Sequence, residues 1–205
     1  AKLLARKLGY TYIDTGAMYR AIALQAKRDN VDINSGTALN SLCDRVQIGF
    51  VPDNDGLRTI LNGVDVSEEI RTPEMSMAAS DISAKKEVRQ SLLSLQRRMG
   101  ENGGVVLEGR DVGTVIFPNA EAKFFLDASL EERGKRRYKE LAAKGLDVTL
   151  EQTLEDVKKR DINDSSRDIA PLKMAADSIL VDSTNVGINE VVEKMIAVVQ
   201  NKVDQ

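Results

Sequence analysis

Four arginines stand beside glycine or aspartate in short polar segments. Asp14-Thr15-Gly16 leads to Arg20, Arg110 lies within Glu108–Thr114 (EGRDVGT), and Arg160–Pro171 (RDINDSSRDIAP) holds Arg160 and Arg167. A planar guanidinium grips a phosphate with two parallel N–H donors, which an ammonium cannot do. Singly, each arginine also suits a surface ion pair. Together, at strand ends or in loops on one predicted edge of a sheet, they suit anion binding, because ligands of open parallel sheets sit beyond the strands' carboxyl ends. The chain has no histidine and one cysteine, Cys43. Histidine bases, His-based triads and histidine metal sites are thereby excluded, and a structural zinc site lacks ligands. Abundant arginine and carboxylate without histidine fits phosphoryl transfer, where positioning and charge neutralisation do most of the work.

Short apolar runs must position these groups. Thr11–Asp14, Val105–Glu108, Lys123–Asp127 and Ser178–Asp182 are apolar at the centre and end in an acid. Such runs suit strands of a parallel sheet covered on both faces. Helical patterns lie between them. Ala1, Leu4, Ala5 and Leu8 share a face, with Gly9 at the expected C-terminal cap. Ala17–Arg28 follows the first strand, and Lys85–Met99 carries a stripe of Val88, Leu92, Leu95 and Met99. Ser129-Leu130-Glu131-Glu132 reads as a capping box for a helix running toward Lys144. Thr149-Leu150-Glu151-Gln152 starts another helix, and Ile188–Val203 closes the chain. This alternation predicts an α/β fold with a mostly parallel sheet. Val46–Val66 breaks the rhythm, with alternating residues, a turn at Pro52–Gly56 and Asn62-Gly63 between apolar runs, so a small antiparallel meander is expected there.

A length of 205 residues suits one domain, or one with a modest insertion. Apolar residues at 42% and charged residues at 30% are ordinary for a globular protein that buries its own core. No apolar run reaches bilayer-spanning length, and the lone cysteine suits a reducing cytosol, so a cytoplasmic location is expected. A net charge of −3 gives no overall basic field for nucleic acid.

The series Asp14-Thr15-Gly16-Ala17-Met18-Tyr19-Arg20, Glu108-Gly109-Arg110-Asp111-Val112-Gly113-Thr114 and Arg160-Asp161…Asp164…Arg167…Ala170-Pro171-Leu172 resembles the motif series of bacterial cytidylate kinases. The resemblance extends from Ala1 to the C-terminus and includes the inserted meander. It implies a P-loop-kinase three-layer α/β sandwich. Residues 1–29, 101–128 and 168–205 would form the core domain, 30–100 a nucleoside-monophosphate-binding insertion and 129–167 a helical lid.

It implies transfer of the γ-phosphate of ATP, bound with Mg2+, to CMP or dCMP by a monomer. Arg20, Arg110 and Arg167 would hold the CMP phosphate, with Arg110, Arg160 and Arg167 acting on the transferred group. Ser80, Arg89 and Asp111 would read the cytosine. Thr15 would lie against the acceptor, and Arg160 with Asp164 would meet its ribose. Arg133, Arg136 and Arg137 on the lid would meet ATP. From the residues alone, Ser80 also suits a helix cap, Arg89 a rim position and Asp111 a pairing with Arg110.

The family's glycine-rich loop, G-x-x-x-x-G-K-[ST], does not occur in these 205 residues. The chain is expected to begin at the helix after that loop, with a central strand and the loop preceding Ala1. Glu108 stands where many relatives carry Asp. A kinase for another small acceptor and a non-catalytic nucleotide-binding module remain as alternatives.

Overall fold

The computed structural model describes residues 1–53 and 56–203. The chain opens with α1 (Lys2–Leu8), stopped by Gly9 in the left-handed conformation at φ 69°, as its position after the apolar stripe requires. Leu4 and Ala5 are its buried residues, packed toward α8 (Ile188–Val203). β1 (Thr11–Asp14) then enters the core through Ile13. Asp14 ends that strand and caps α2 (Thr15–Arg28) by accepting a hydrogen bond from the Ala17 amide at 3.2 Å. Ala17, Met18, Ala21, Ile22, Ala23, Leu24 and Ala26 of α2 are all buried, so this helix runs through the core rather than along its surface. Small alanines let neighbours approach on one side while Met18 and Ile22 fill the other.

The expected meander is present. β2 (Ile48–Asp53), β3 (Gly56–Leu61) and β4 (Val64–Asp65) form one antiparallel sheet. Asn62 and Gly63 both have positive φ, 50° and 81°, the geometry of the Asn-Gly hairpin turn. The Pro52–Gly56 turn falls partly on residues 54–55, which lie outside the described residues. Three helices bracket the meander: α3 (Gly36–Arg45) precedes it, and α4 (Pro73–Ser83) and α5 (Lys86–Gly100) follow. Thr72 caps α4 and Pro73 occupies its first turn, where the missing amide costs nothing.

The parallel strands form two pairs rather than one continuous sheet. β5 (Val105–Glu108) pairs with β1, with Asp14 level with Glu108. β6 (Phe124–Asp127) pairs with β7 (Ile179–Asp182). Both β5 and β6 line the same cleft of about 1520 Å³, and no described strand pairs between them. Between these strands Val112–Ile116 makes a single π-helical turn.

Two helices cross the far side. Ser129 caps α6 (Leu130–Ala143) by accepting from the Glu132 amide, but the box is not reciprocal. The Ser129 amide instead donates to Thr184 Oγ1, which frees the Glu132 carboxylate to take Arg136. Thr149 and Gln152 do form a full capping box at the start of α7 (Leu150–Ser166). α7 runs further than the polar Arg160–Pro171 segment suggests, so Arg160 lies on a helix and not in a loop. Neither Gly nor Pro interrupts the stretch, and a well-capped start carries a polar helix whose contacts are polar too. α6 and α7 meet at Gly134, where a side chain would run into Leu154.

Candidate active site

Three of the four arginines converge on one carboxylate. Asp164, on α7, is 2% exposed and accepts from Ser80 Oγ of α4 at 2.8 Å and from Arg110 Nε at 2.9 Å. Arg160 Nε lies 3.7 Å and Arg167 Nη1 3.8 Å from its oxygens. Arg160 and Asp164 share a face because they are four residues apart on the helix. Arg167, just past the end of α7, is tied by donating to Ser83 Oγ at 2.8 Å and to the Ala170 carbonyl at 2.7 Å. Arg20 donates to Asp14 Oδ2 at 2.6 Å, so the residue that caps α2 also holds its arginine.

A second pair lies beside this cluster. Asp111 is 4% exposed and takes Arg89 Nη2 in a buried ion pair, while Arg89 Nη1 donates to the Ser83 carbonyl at 2.9 Å. Asp111 therefore pairs with Arg89 and not with its chain neighbour Arg110, whose Nε goes to Asp164. Arg89 is buried rather than at a rim. Ser80 sits inside α4 and serves as a donor to Asp164, not as a helix cap.

Charge and hydrogen bonding leave this site incomplete. Among the described residues, Arg20, Arg89, Arg110, Arg160 and Arg167 make their ion pairs with Asp14, Asp111 and Asp164. The excess of two positive charges matches a phosphate monoester, which carries about −1.5 to −2 at neutral pH. Buried N–H groups at Arg20 Nε, Arg160 Nε and Arg167 Nη2 have no hydrogen-bond acceptor. Orphaned donors of this kind are costly in a finished interior and signal a partner with oxygens to offer. Burial, then the charge of Arg110, lowers the Arg160 pKa to about 10 despite the opposing pull of Asp164. Burial and the nearby Arg89 charge likewise lower Arg167. Crowded cations are stabilised by an arriving anion.

The glycines of the motifs have steric reasons. A Cβ on Gly16 would sit 3.1 Å from both Arg20 Nη1 and Asp14 Oδ1, inside their ion pair. A Cβ on Gly109 would strike Thr15 Oγ1 and come within 2.8 Å of Val112 Cγ2. Thr15 is buried and donates to the Glu108 carbonyl at 2.7 Å, bracing the end of β5 against α2. Gly109→Ala is therefore expected to cost about 1–3 kcal/mol of stability through overpacking. Thermal denaturation checks this, and an unchanged midpoint would show that the loop shifts freely.

The three arginines of α6 divide. Arg133 lines the cleft and pairs with Asp161. Arg136 is held by Glu132 and by Ser183, donating to its carbonyl at 2.6 Å. Arg137 is held by Glu140 and reaches Ser76 Oγ on α4 at 3.4 Å, and neither of these two lines the cleft.

Comparison with known proteins shows the family. A family model described as Cytidylate kinase matches residues 1–201. The chain belongs to the cytidylate kinase family. It is 52% identical over 204 residues to a cytidylate kinase of Citrifermentans bemidjiense, covering 100% of this chain and 88% of that protein. It is 45% identical to the cytidylate kinase of Bacillus subtilis, covering 98% and 90%. Cytidylate kinase 1 of Haemophilus influenzae is 46% identical, covering 96% and 85%. Membership brings with it the P-loop-kinase fold, here as parallel strand pairs with a small antiparallel sheet. Tyr19 entered the sequence analysis only as part of the Asp14–Arg20 motif, with no role of its own. It lines the cleft with its ring against Arg89, and Gln96 is buried on α5. Both are neutral, and only their contacts show their place.

Proposed function

We propose that the protein transfers the γ-phosphoryl group of ATP to CMP or dCMP, giving CDP or dCDP and ADP. The observation that carries this reading is the set of buried, acceptorless guanidinium donors beside the Arg89–Asp111 pair. Arg20, Arg110 and Arg167 hold the acceptor phosphate, and Arg160 with Asp164 meets the ribose. Ser80, Arg89 and Asp111 read the base: a carboxylate accepts from the cytosine amine, and a guanidinium donates to O2 or N3. Thr15 acts through the Glu108 carbonyl, keeping the acceptor side of the cleft in shape.

An oxygen of the CMP phosphate attacks the γ-phosphorus as the bond to the β,γ-bridging oxygen breaks, and ADP leaves. No covalent enzyme intermediate is needed. Arg110, Arg160 and Arg167 neutralise charge on the equatorial oxygens of the transferred group, fixed in place beforehand by Asp164. Arg133 is the lid arginine positioned to meet ATP, while Arg136 and Arg137 tie α6 to the Ser183 loop and to α4. Residues 129–167 serve as the lid, 30–100 as the acceptor-binding insertion and the remainder as the core. Closure of the lid excludes water and suppresses ATP hydrolysis.

Glu108, at the end of β5 on the cleft wall, suits a magnesium ion that arrives with the nucleotide. Among the described residues no group of three or more acidic or thiol side chains forms a cage. When bound, Mg2+ would neutralise charge on the ATP phosphates. No helix among the described residues is long and apolar enough to cross a membrane. With a net charge of −3, small nucleotides rather than nucleic acid are the proposed ligands of a cytoplasmic monomer.

The test is ADP release from Mg-ATP with CMP, UMP or AMP as acceptor. Turnover clearly favouring CMP is expected. Equal turnover with all three would overturn the base-reading roles, and none with any acceptor would overturn the reaction.

A further inference from the structure

Helix α5 touches the base-reading pair at more than one point. Arg89, on its first turns, holds the Asp111 carboxylate. Two turns further on, Gln96 is 1% exposed and does not reach the cleft. Arg97 donates to the Ile116 and Val115 carbonyls, each at 3.2 Å, and so fastens the end of the π-helical turn that begins after Asp111. Tyr19, on α2, lies between these anchors. The Arg89 guanidinium carbon stands 5.6 Å from the centre of its ring, within range of a cation–π contact. Both side chains are buried, so water does not screen the contact.

Arg89 has uses for both terminal nitrogens, one on the Ser83 carbonyl and one on Asp111. Those bonds fix two of its N–H directions, and the ring of Tyr19 over the guanidinium limits its tilt. Burial pushes the Tyr19 hydroxyl pKa up, while the Arg89 charge works against that rise. The chain of contacts runs from Tyr19 to Arg89 and then Asp111.

We propose that Tyr19 is a positioning residue for acceptor specificity: its ring limits the tilt of Arg89 against Asp111. The inference rests on the reading of Arg89 and Asp111 as the pair that recognises cytosine. Discrimination against uracil depends on the orientation of the Asp111 carboxylate. Cytosine offers it an amine, whereas uracil offers an oxygen that it repels. A guanidinium free to tilt lets the carboxylate turn, and the two bases become more alike.

The experiment compares Tyr19→Leu, Tyr19→Met and Tyr19→Phe in the full-length protein, measuring kcat and KM for CMP and UMP and KM for ATP. Tyr19→Leu removes the ring and is expected to lower the CMP-over-UMP ratio of kcat/KM roughly 10-fold, with KM for ATP unchanged. Tyr19→Phe keeps the ring and should retain most of the ratio. Adding Tyr19→Leu to Arg89→Lys should cost less than the two changes apart, because both act on one contact. Equal losses for CMP and UMP, or an unchanged ratio in Tyr19→Leu, would overturn the proposal. If Tyr19→Leu does not fold, Tyr19→Met, which fills the space with a flexible side chain and no ring, decides in the same way. A wild-type protein without preference for CMP would instead sink the base-reading roles on which it rests.

Discussion

Replacing Asp164 by alanine lowers stability by about 3–5 kcal/mol, the usual cost of leaving buried charges without their partner. For a chain of 205 residues that corresponds to a fall of roughly 6–20 °C in the melting temperature. The effect is large because Asp164 serves several groups at once. Ser80 loses its acceptor, Arg110 loses an ion pair at 2.9 Å, and Arg160 and Arg167 lose the carboxylate they share. Arg160 already has its pKa lowered to about 10 by burial and by Arg110, so the extra repulsion falls on a strained set of cations. The same argument predicts a distinctive rescue. Inorganic phosphate should raise the melting temperature of Asp164→Ala by more than it raises that of the wild type, since a bound dianion replaces the lost charge. kcat/KM for CMP should fall roughly 100-fold or more through a ribose left without its contact and arginines no longer held in place. A destabilised variant with an unchanged KM for CMP would make Asp164 a purely structural group.

Much of this arrangement was legible because its signals are local. Gly9 at a left-handed cap, Asn62-Gly63 in the hairpin and Thr149 with Gln152 in a capping box are each decided within a few residues. The arginines were legible as types, since few roles other than anion binding gather them beside glycines. Their partners were not. Arg110 and Asp111 are adjacent, yet their side chains go to different carboxylate and guanidinium partners on α7 and α5. Adjacent residues diverge wherever the backbone turns, and a long-range partner is fixed only by packing. The course of α7 through Arg160–Ser166 was hidden for a related reason. Its buried face presents Asp164 and Thr153 rather than an apolar stripe, so hydrophobic periodicity has nothing to register. The non-reciprocal cap at Ser129 was decided by Thr184, far along the chain. Tyr19 stood in the Asp14–Arg20 motif without a role, which only its packing against Arg89 of α5 supplies.

Asp111→Asn is expected to collapse the choice between cytosine and uracil. The wild-type carboxylate only accepts, so it welcomes the cytosine amine and repels uracil O4. An amide of the same shape turns its donor toward O4 and serves uracil at least as well. Sites built around one buried polar partner reject the wrong group by factors up to about 10⁴–10⁵, and removing that device forfeits most of the factor. kcat/KM for CMP should therefore fall roughly 1,000-fold, while that for UMP changes little or rises. Loss of the charge acts in the same direction. Burial raises the Asp111 pKa, and the charges of Arg89 and Arg167 oppose it, so the ion pair is what keeps this buried carboxylate ionised. With asparagine in its place, Arg89 retains the Ser83 carbonyl and the Tyr19 ring but no counter-charge, and the stability of the fold should drop by about 1–3 kcal/mol. Steady-state kinetics with the two acceptors and one melting curve read all of this. A parallel loss for CMP and UMP would place Asp111 in the scaffold rather than against the base. A selective loss for CMP would mean that a single carboxylate at the start of the π-helical turn decides which nucleotide is phosphorylated.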